Sequence, residues 1–128
     1  MIEAPIGRDR HHRQRMAVRG DGKLARTRWH VVARYRDADG RRYTLLDVRL
    51  LTGRTHQIRV HFSWMGYPLA GDTVYGPSGS GATWPRQFLH SRVLEIDHPV
   101  SGENMRFQAP LPADLLEALT TLTEVLPL

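Results

Sequence analysis

The twelve residues Leu50–His61, LLTGRTHQIRVH, join an apolar run through a Gly-Arg turn to a segment with helical spacing. Thr55 is placed to cap the N-terminus of this helix and Gly66 to follow its C-terminus, which predicts about three helical turns. A helix N-terminus carries unpaired N–H groups and the positive end of the helix dipole. Because Arg54 and Arg59 add two cations there, the segment predicts a site for an anion.

The predicted helix has two different faces when successive residues are spaced at about 100°. The apolar face carries Ile58, Phe62 and Met65. The nearly opposite face carries His56, Arg59 and Ser63. We therefore expect the first face to pack on a core and the second to form a functional site.

A β-hairpin is predicted on the N-terminal side of this helix. Apolar and polar residues alternate over Thr27–Tyr35 and again over Leu46–Leu50, which is typical of half-buried strands. The sequence DADG at 37–40 lies between the two segments and is typical of a turn. The two strands are therefore expected to pair antiparallel.

The remaining segments complete the predicted architecture. Val93–Asp97 and Met105–Ala109 are expected to form a second hairpin, and Ala113–Val125 an amphipathic helix. Residues 1–23 and 68–86 are rich in Gly and Pro and are interpreted as loops. This order of elements predicts one domain of α+β class, a mostly antiparallel sheet with flanking helices.

The charge of the chain is unevenly distributed. The 128 residues have a formal net charge of +5, but residues 1–60 contain 15 Arg and Lys against 6 Asp and Glu, and residues 61–128 contain 3 against 7. Seventeen of the 18 basic residues are arginine, whose planar guanidinium suits phosphates and base edges. A basic half of this kind indicates a nucleic acid as partner.

Several other classes of protein are disfavoured by the composition. Without cysteine, the chain can form no disulfide, thiolate nucleophile or Cys-ligated metal site. It has no apolar run of about 18 residues and no signal-peptide pattern, so we expect a cytoplasmic protein without membrane contact.

The polar residues do not match the common catalytic patterns. His56 and His61 are five residues apart, about 140° around a helix, and cannot ligate one metal ion together. A hydrolase is equally unsupported, because the G-x-S-x-G motif is absent. Asp72, in the Gly-bounded loop AGDTVYG, is expected to accept hydrogen bonds from backbone N–H groups. For Arg54 and Arg59, both a solvated helix end with surface ion pairs and an anion site remain open.

The segment LLTGRTHQIRVHFSWMGYPLAGDTVYG, residues 50–76, closely resembles the signature of RluA/RluD-type pseudouridine synthases, which isomerise uridines in RNA. The similarity continues through EAPIGRDRHHRQRMAV at 3–18, GKLARTRWHVV at 22–32 and FLHSRVLEIDHPVSGENMRFQAPLP at 88–112. So many matches in order imply the fold and the RNA substrate of that family.

One part of the family pattern is absent from this sequence. The catalytic aspartate of the family lies in a His-Arg-Leu-Asp motif well upstream of a Pro-Ile-Gly-Arg segment, which here begins at Pro5. The resemblance therefore implies that residues 1–128 are the C-terminal half of a pseudouridine synthase catalytic domain. The upstream half would supply the aspartate, and the chain alone is expected to be inactive.

The resemblance also implies roles for individual residues. Arg59 matches the basic residue that pairs with the catalytic aspartate, and such an ion pair keeps an acid ionised and in place. Arg54 and His56 match positions that line the RNA-facing site, and Arg8 lies at a motif position that we assign to RNA binding. The resemblance also implies structural roles for Gly71 and Asp72, whereas the structural roles of Gly53 and Thr55 follow from the turn and the predicted N-cap.

The implied mechanism needs neither a metal nor an organic cofactor. The partner would be RNA, with large-subunit ribosomal RNA as the first expectation and transfer RNA as another, together with the missing N-terminal half of the enzyme. Two alternatives remain open: a stand-alone RNA-binding module without catalytic activity, and a remnant that never folds stably.

Overall fold

The computed structural model describes residues 1–77 and 84–126, and these residues form eight strands and two helices. In chain order the elements are β1 (Ile2–Glu3), β2 (Ile6–Arg8), β3 (Met16–Val18), β4 (Arg26–Arg36), β5 (Arg42–Leu50), α1 (Gln57–Trp64), β6 (Val93–Asp97), β7 (Asn104–Gln108), α2 (Ala113–Thr120) and β8 (Thr123–Glu124).

The main sheet is built on the long hairpin of β4 and β5, as the sequence predicts. The two strands are antiparallel, with Trp29 opposite Val48, and a bulge interrupts their register between Val31 and Ala33. Strands β1 and β8 pair antiparallel with the other edge of β4, one at each end of the strand. Strand β4 is therefore the centre of the sheet.

Helix α1 packs against β3 and β4 through two buried side chains, Val60 and Phe62, which are 3% and 5% exposed. The ring of Phe62 meets that of Trp29 edge-on, with 6.2 Å between the ring centroids. The buried partners are Ile6, Ala25 and Tyr75 around Val60, and Ile2 and Ala4 around Phe62. The predicted core face is right for Phe62 and wrong for Met65, which is exposed at the end of the helix.

Residues 1–23 are not simply a loop, because they contain β1, β2 and β3. Ile2 and Ile6 are buried, and Ile6 lies opposite Val18 in the antiparallel pair of β2 and β3. The loop interpretation was wrong because strands of two or three residues are too short to show an alternating pattern.

The second helix is shorter than the sequence predicts. It ends at Thr120 instead of Val125, and the chain then turns so that Thr123 and Glu124 pair with the end of β4. Threonine has a low helix propensity, and the open edge of β4 supplies backbone hydrogen bonds that a longer helix would forgo. The structure of the chain end is therefore set by a partner strand almost 90 residues earlier.

The second hairpin is confirmed to within one residue. Strand β6 has the predicted bounds, and β7 is Asn104–Gln108 instead of Met105–Ala109. The predicted loop 68–86 has neither helix nor strand over residues 68–77 and 84–86, and its central residues 78–83 lie outside the described part of the chain. The α+β class with antiparallel strands is confirmed, and neither described helix combines the length and apolar character required to cross a bilayer.

Candidate functional site at the junction of strand β5 and helix α1

The side chain of Gln57, the first residue of α1, ties the Gly-Arg turn to strand β4. Its Oε1 accepts hydrogen bonds from the backbone N–H of Arg54 at 3.0 Å and the hydroxyl of Thr52 at 2.8 Å. Its Nε2 donates to the carbonyl of Arg26 at 2.8 Å and to Oγ1 of Thr27 at 2.9 Å. All four hydrogen-bonding positions of the amide are occupied, which fixes where the helix begins.

The N-cap of α1 differs from the sequence prediction. His56 occupies this position with φ 55° and ψ 26°, and no side chain caps the helix, so the assignment of Thr55 as the cap is wrong. A capping side chain normally acts from an extended N-cap residue, whereas this backbone is left-handed and Gln57 organises the turn instead. His56 is the only non-glycine residue with positive φ in the described ranges, and such strain is often found at functional sites.

Arg59 is held by Asp72, which lies in the loop after the helix. Nε of Arg59 donates to Oδ2 at 2.9 Å and Nη2 donates to Oδ1 at 3.0 Å, a bidentate arrangement. The side chains are 12% and 0% exposed. The resemblance implied an aspartate outside the chain as the partner of Arg59. Asp72 is a second partner that the sequence did not predict, and the pairing with an upstream aspartate stays a prediction. No described residue accepts a hydrogen bond from the remaining nitrogen, Nη1.

Asp72 is itself anchored to the backbone of its loop. Oδ1 accepts the N–H groups of Val74 and Tyr75, both at 3.0 Å. Burial acts to raise the pKa of Asp72, but the hydrogen bond from Arg59 and these two N–H groups outweigh it, and the pKa lies below its ordinary value. The carboxyl is therefore ionised at neutral pH, and its hydrogen bond raises the pKa of Arg59.

The polar face predicted for the helix converges on one residue, Tyr75, which is 7% exposed. Nδ1 of His56 lies 2.7 Å from its hydroxyl oxygen, and Oγ of Ser63 donates to its carbonyl at 2.6 Å. The guanidinium carbon of Arg59 lies 5.0 Å from its ring centroid, within the range of a cation–π contact. The three residues expected to share a face therefore share a partner.

Two residues from the N-terminal hairpin complete the surroundings of Tyr75. The backbone N–H of Met16 donates to the tyrosine hydroxyl at 3.0 Å, and the guanidinium carbon of Arg15 lies 5.2 Å from the ring centroid. Nε of Arg15 is buried without a hydrogen-bond partner among the described residues. The site thus combines cations from two parts of the chain around one aromatic ring.

The imidazole of His56 is held in its neutral form by this environment. Burial lowers its pKa, the positive charge of Arg59 lowers it further, and the charge of Asp72 opposes both effects. With a pKa below the ordinary value of about 6.5, the ring is uncharged at neutral pH.

The other two predicted binding residues, Arg54 and Arg8, do not join this group through their side chains, although Arg8 lies opposite Met16 in the β2–β3 pair. Nε of Arg54 donates to the carbonyl of Leu24 at 2.8 Å, and Nη1 of Arg8 donates to the carbonyl of Arg13 at 2.6 Å. Neither arginine forms a hydrogen bond or ion pair with His56 or with any other member of the Tyr75 group in the described structure. The structure therefore brings together only part of the predicted set.

The two predicted structural glycines differ in their surroundings. Gly71 has φ 79°, and a Cβ added there would overlap the carbonyl oxygen of Arg86 and lie 2.8 Å from Cβ of Trp84. Only glycine fits this position. Gly53 has no such requirement, because an added Cβ would meet no atom within 4 Å, which leaves its face open to a bound molecule.

Three residues of the site were missed by the sequence interpretation: Arg15, Gln57 and Tyr75. Gln57 could have been suspected, because an amide three residues after Arg54 can accept the N–H of the turn. The contacts of Tyr75 join residues 59 apart in the chain, and no local pattern reveals them. In residues 1–77 and 84–126, no three His, Asp or Glu side chains are grouped as a metal site.

Comparisons with known proteins agree on one family. Residues 1–64 match the family described as RNA pseudouridylate synthase. The uncharacterized RNA pseudouridine synthase YlyB of Bacillus subtilis (strain 168) is 50% identical over 121 residues, which cover 94% of this chain and 38% of that protein. Ribosomal large subunit pseudouridine synthase D of Pseudomonas aeruginosa is 46% identical over 135 residues, which cover 96% of this chain and 41% of that protein.

A solved structure supports the same relationship. The human protein RNA Pseudouridylate Synthase Domain Containing 1 superimposes with a TM-score of 0.81 and 28% sequence identity, over 97% of this chain and 52% of that chain. This chain therefore spans well under two thirds of the length of the proteins that it matches, 38% and 41% for the two bacterial relatives.

Proposed function

Because this chain belongs to the RNA pseudouridylate synthase family, we propose that it acts in the isomerisation of uridine to pseudouridine in RNA. The observation that carries the proposal is the geometry of Arg59. Its guanidinium is almost buried and held by Asp72 through two nitrogens, while Nη1 has no partner among the described residues. A rigid cation with one guanidinium nitrogen unpaired among the described residues suits the task of binding a second carboxylate.

That second carboxylate is the catalytic aspartate, which we assign to an upstream segment. Residues 1–128 then form the C-terminal half of the catalytic domain, in agreement with relatives more than twice as long as the matched region. Arg59 keeps the aspartate ionised and in place, so that it can act on the sugar or the base. The chain alone is then inactive.

The reaction rearranges one nucleotide and consumes nothing. The target uridine leaves the base stack, its C–N glycosidic bond breaks, the uracil turns, and a C–C bond to the same sugar forms. C5 of the uracil loses its proton when the C–C bond forms and N1 gains one, so the product is an isomer of the substrate, and the residues of this chain bind, orient and balance charge. No metal or organic cofactor takes part in the proposed mechanism.

The RNA is held by the basic first half of the chain, which has an excess of nine positive charges over residues 1–60. Arg54, His56 and Arg8 are the proposed contacts, and Gly53 lets the RNA approach the turn. Large-subunit ribosomal RNA is the first candidate substrate, since the Pseudomonas aeruginosa relative is named for it, and transfer RNA is the second. The proposed location is accordingly the cytoplasm, without membrane contact.

The alternative is an RNA-binding module without catalysis. It is favoured by the fact that Asp72 already balances the charge of Arg59 inside the chain, so that the pair needs no external acid. The synthase and the RNA-binding module predict different pseudouridine content in cells that carry a variant of the native gene.

The test is a map of pseudouridines in the ribosomal and transfer RNA of cells that carry Arg59→Ala at the native locus. We expect the loss of at least one pseudouridine, and an unchanged map with Arg42→Ala, which alters an exposed arginine at the start of β5. An immunoblot with an antibody against residues 113–126 should show a band well above 14.6 kDa, and its intensity in the Arg59→Ala cells separates loss of the reaction from loss of the protein. An unchanged map in the Arg59→Ala cells, together with a band at 14.6 kDa, would favour the binding module.

A further inference from the structure

Among the described residues, the hydroxyl of Tyr75 has two hydrogen-bonding neighbours, and their chemistry determines where its hydrogen lies. The backbone N–H of Met16, 3.0 Å away, can only donate, so the tyrosine oxygen accepts there. The other neighbour is Nδ1 of His56 at 2.7 Å. If Nδ1 carried the imidazole proton, the oxygen would accept twice and the hydroxyl hydrogen would have no acceptor among the described residues. The arrangement that satisfies all three groups has the hydroxyl donating to Nδ1.

This donation fixes the state of the imidazole. An Nδ1 that accepts a hydrogen bond is unprotonated, so in the neutral ring the proton is on Nε2. No described residue lies within hydrogen-bond distance of Nε2, and His56 as a whole is exposed. The ring therefore has one oriented N–H donor without a partner among the described residues, and both this ring and the guanidinium of Arg59 contact Tyr75.

His61 offers an internal comparison. Its Nε2 lies 2.9 Å from the carbonyl of Ala4, so it donates there, and its Nδ1 lies 2.7 Å from Oγ1 of Thr27. Thr27 in turn accepts from Gln57, which leaves its own hydrogen for Nδ1 of His61. Both histidines therefore have the same tautomer, but of these two only His56 has an Nε2–H without a partner among the described residues.

The backbone conformation of His56 supports a functional role for its Nε2–H. A histidine at φ 55° is strained, and the surrounding hydrogen bonds of Gln57 and Tyr75 maintain that conformation. With this left-handed N-cap, the imidazole meets the tyrosine ring edge-on, with 5.5 Å between ring centroids and an interplanar angle of 78°. The strained backbone and the buried tyrosine together fix the orientation of the Nε2–H of His56.

We propose that Tyr75 is a positioning residue that holds His56 as the neutral Nε2–H tautomer, so that Nε2–H donates a hydrogen bond to an oxygen of the bound RNA. The inference rests on the proposed RNA function and deepens it. The oxygen belongs to a phosphate or to a uracil carbonyl, since both accept from a neutral N–H. Because the donor is uncharged, its contact contributes to affinity without releasing counterions.

The first experiment determines the tautomer of His56 directly in the 128-residue chain. Long-range ¹H–¹⁵N correlation spectra at neutral pH should show Nε2–H for His56, with His61 as the internal reference for the same tautomer. In Tyr75→Phe, His56 should become a mixture of the two tautomers while His61 is unchanged. Nδ1–H in the unmodified chain, or an unchanged His56 tautomer in Tyr75→Phe, overturns the inference.

The second experiment identifies the oxygen. Inorganic phosphate and uridine are titrated separately, and the Nε2–H resonance of His56 should shift with phosphate if the acceptor is a phosphate, or with uridine if it is the base. A uridine-containing RNA hairpin should shift it in either case. No shift with the hairpin, under conditions where the unmodified chain binds it, overturns the inference.

One variant separates the effect of losing the Nε2–H donor from the effect of losing the fold. Asparagine tolerates a left-handed backbone and can accept from Tyr75, but it places no donor at the position of Nε2. His56→Asn should therefore weaken binding of the hairpin about three- to tenfold, the range for one neutral hydrogen bond, with the slope of log affinity against log salt unchanged. Full affinity in His56→Asn overturns the inference. Absence of RNA binding by the unmodified chain at low salt contradicts the proposed function instead, and the tautomer spectra distinguish the two failures.

Discussion

Arg59 and Asp72 form a bidentate ion pair that joins helix α1 to the loop that follows it. The two hydrogen bonds are 2.9 and 3.0 Å long, and the carboxylate is completely buried. A buried charge needs a partner and further hydrogen bonds, and Asp72 has both, because two backbone N–H groups share its oxygen Oδ1. The position of Arg59 is therefore set within this chain.

The first prediction concerns the stability that depends on this pair. Arg59→Met keeps the aliphatic length but removes both guanidinium hydrogen bonds from the buried carboxylate of Asp72, so we expect it to lower the free energy of unfolding by about 3–5 kcal/mol. The double variant Arg59→Met with Asp72→Asn should cost less than the sum of the two single variants. Urea denaturation of the four proteins gives the coupling free energy.

The control for this prediction is an ion pair with similar geometry whose side chains are more exposed to solvent. Arg86 and Asp114 lie 2.9 Å apart, with side chains that are 38% and 43% exposed. Arg86→Met should therefore cost no more than about 1 kcal/mol. Equal losses at the two pairs would contradict the argument that burial makes the Arg59–Asp72 pair critical.

The second prediction is a pH dependence of stability. The folded-state pKa of Asp72 lies below its unfolded value of about 3.9, despite the opposing effect of burial, because of Arg59 and two backbone N–H groups. Between the folded-state and unfolded-state pKa of Asp72, the unfolded chain binds more protons than the folded chain. The stabilisation is therefore present above about pH 4 and is lost as the pH falls toward the folded-state pKa. Between about pH 5 and pH 3, the unmodified chain should lose more stability than Asp72→Asn. Parallel curves of unfolding free energy against pH would contradict this assignment.

The third prediction uses two glycines with similar backbone angles. Gly71 and Gly66 have φ of 79° and 88°, but only Gly71 has atoms in contact range of an added Cβ, the carbonyl of Arg86 foremost among them. Gly66→Ala should cost about 1 kcal/mol from the left-handed backbone alone. Gly71→Ala should cost clearly more, since the loop that carries Asp72 must move. Thermal unfolding of both variants makes the comparison, and similar losses would show that the close approach at Gly71 is relieved easily.

These relationships also explain which parts of the structure were predictable. The β4–β5 hairpin, the β6–β7 hairpin and helix α1 have enough residues for their periodicity to be read, and their turns contain the expected polar and glycine residues. Strands β1 and β8 have two residues each, and they exist because β4 offers them a partner. Their formation depends on tertiary pairing, which no local pattern encodes.

The site was predictable to a similar degree. The shared face of His56, Arg59 and Ser63 follows from helical spacing, whereas their common partner, Tyr75, lies beyond the helix in a loop. The N-cap prediction failed because Thr55 has the right chemistry for a cap, but Gln57 forms four hydrogen bonds that impose a different backbone on His56. Residue type and spacing thus predict a face, and long-range hydrogen bonds determine its geometry.

The last prediction concerns Arg54, whose proposed role is a contact with an RNA phosphate. Its Nε is fixed to the carbonyl of Leu24, so its remaining guanidinium nitrogens are directed from a defined position. Arg54→Ala should weaken binding of an RNA hairpin and reduce the slope of log affinity against log salt by about 0.7–1, the value for one lost phosphate contact. The matched control is Arg42→Ala, since Arg42 lies at the far end of β5, about 26 Å from Leu50 by strand rise. If both variants lowered the slope equally, the basic surface would be acting as a whole, and the Gly-Arg turn would have no specific contact with RNA.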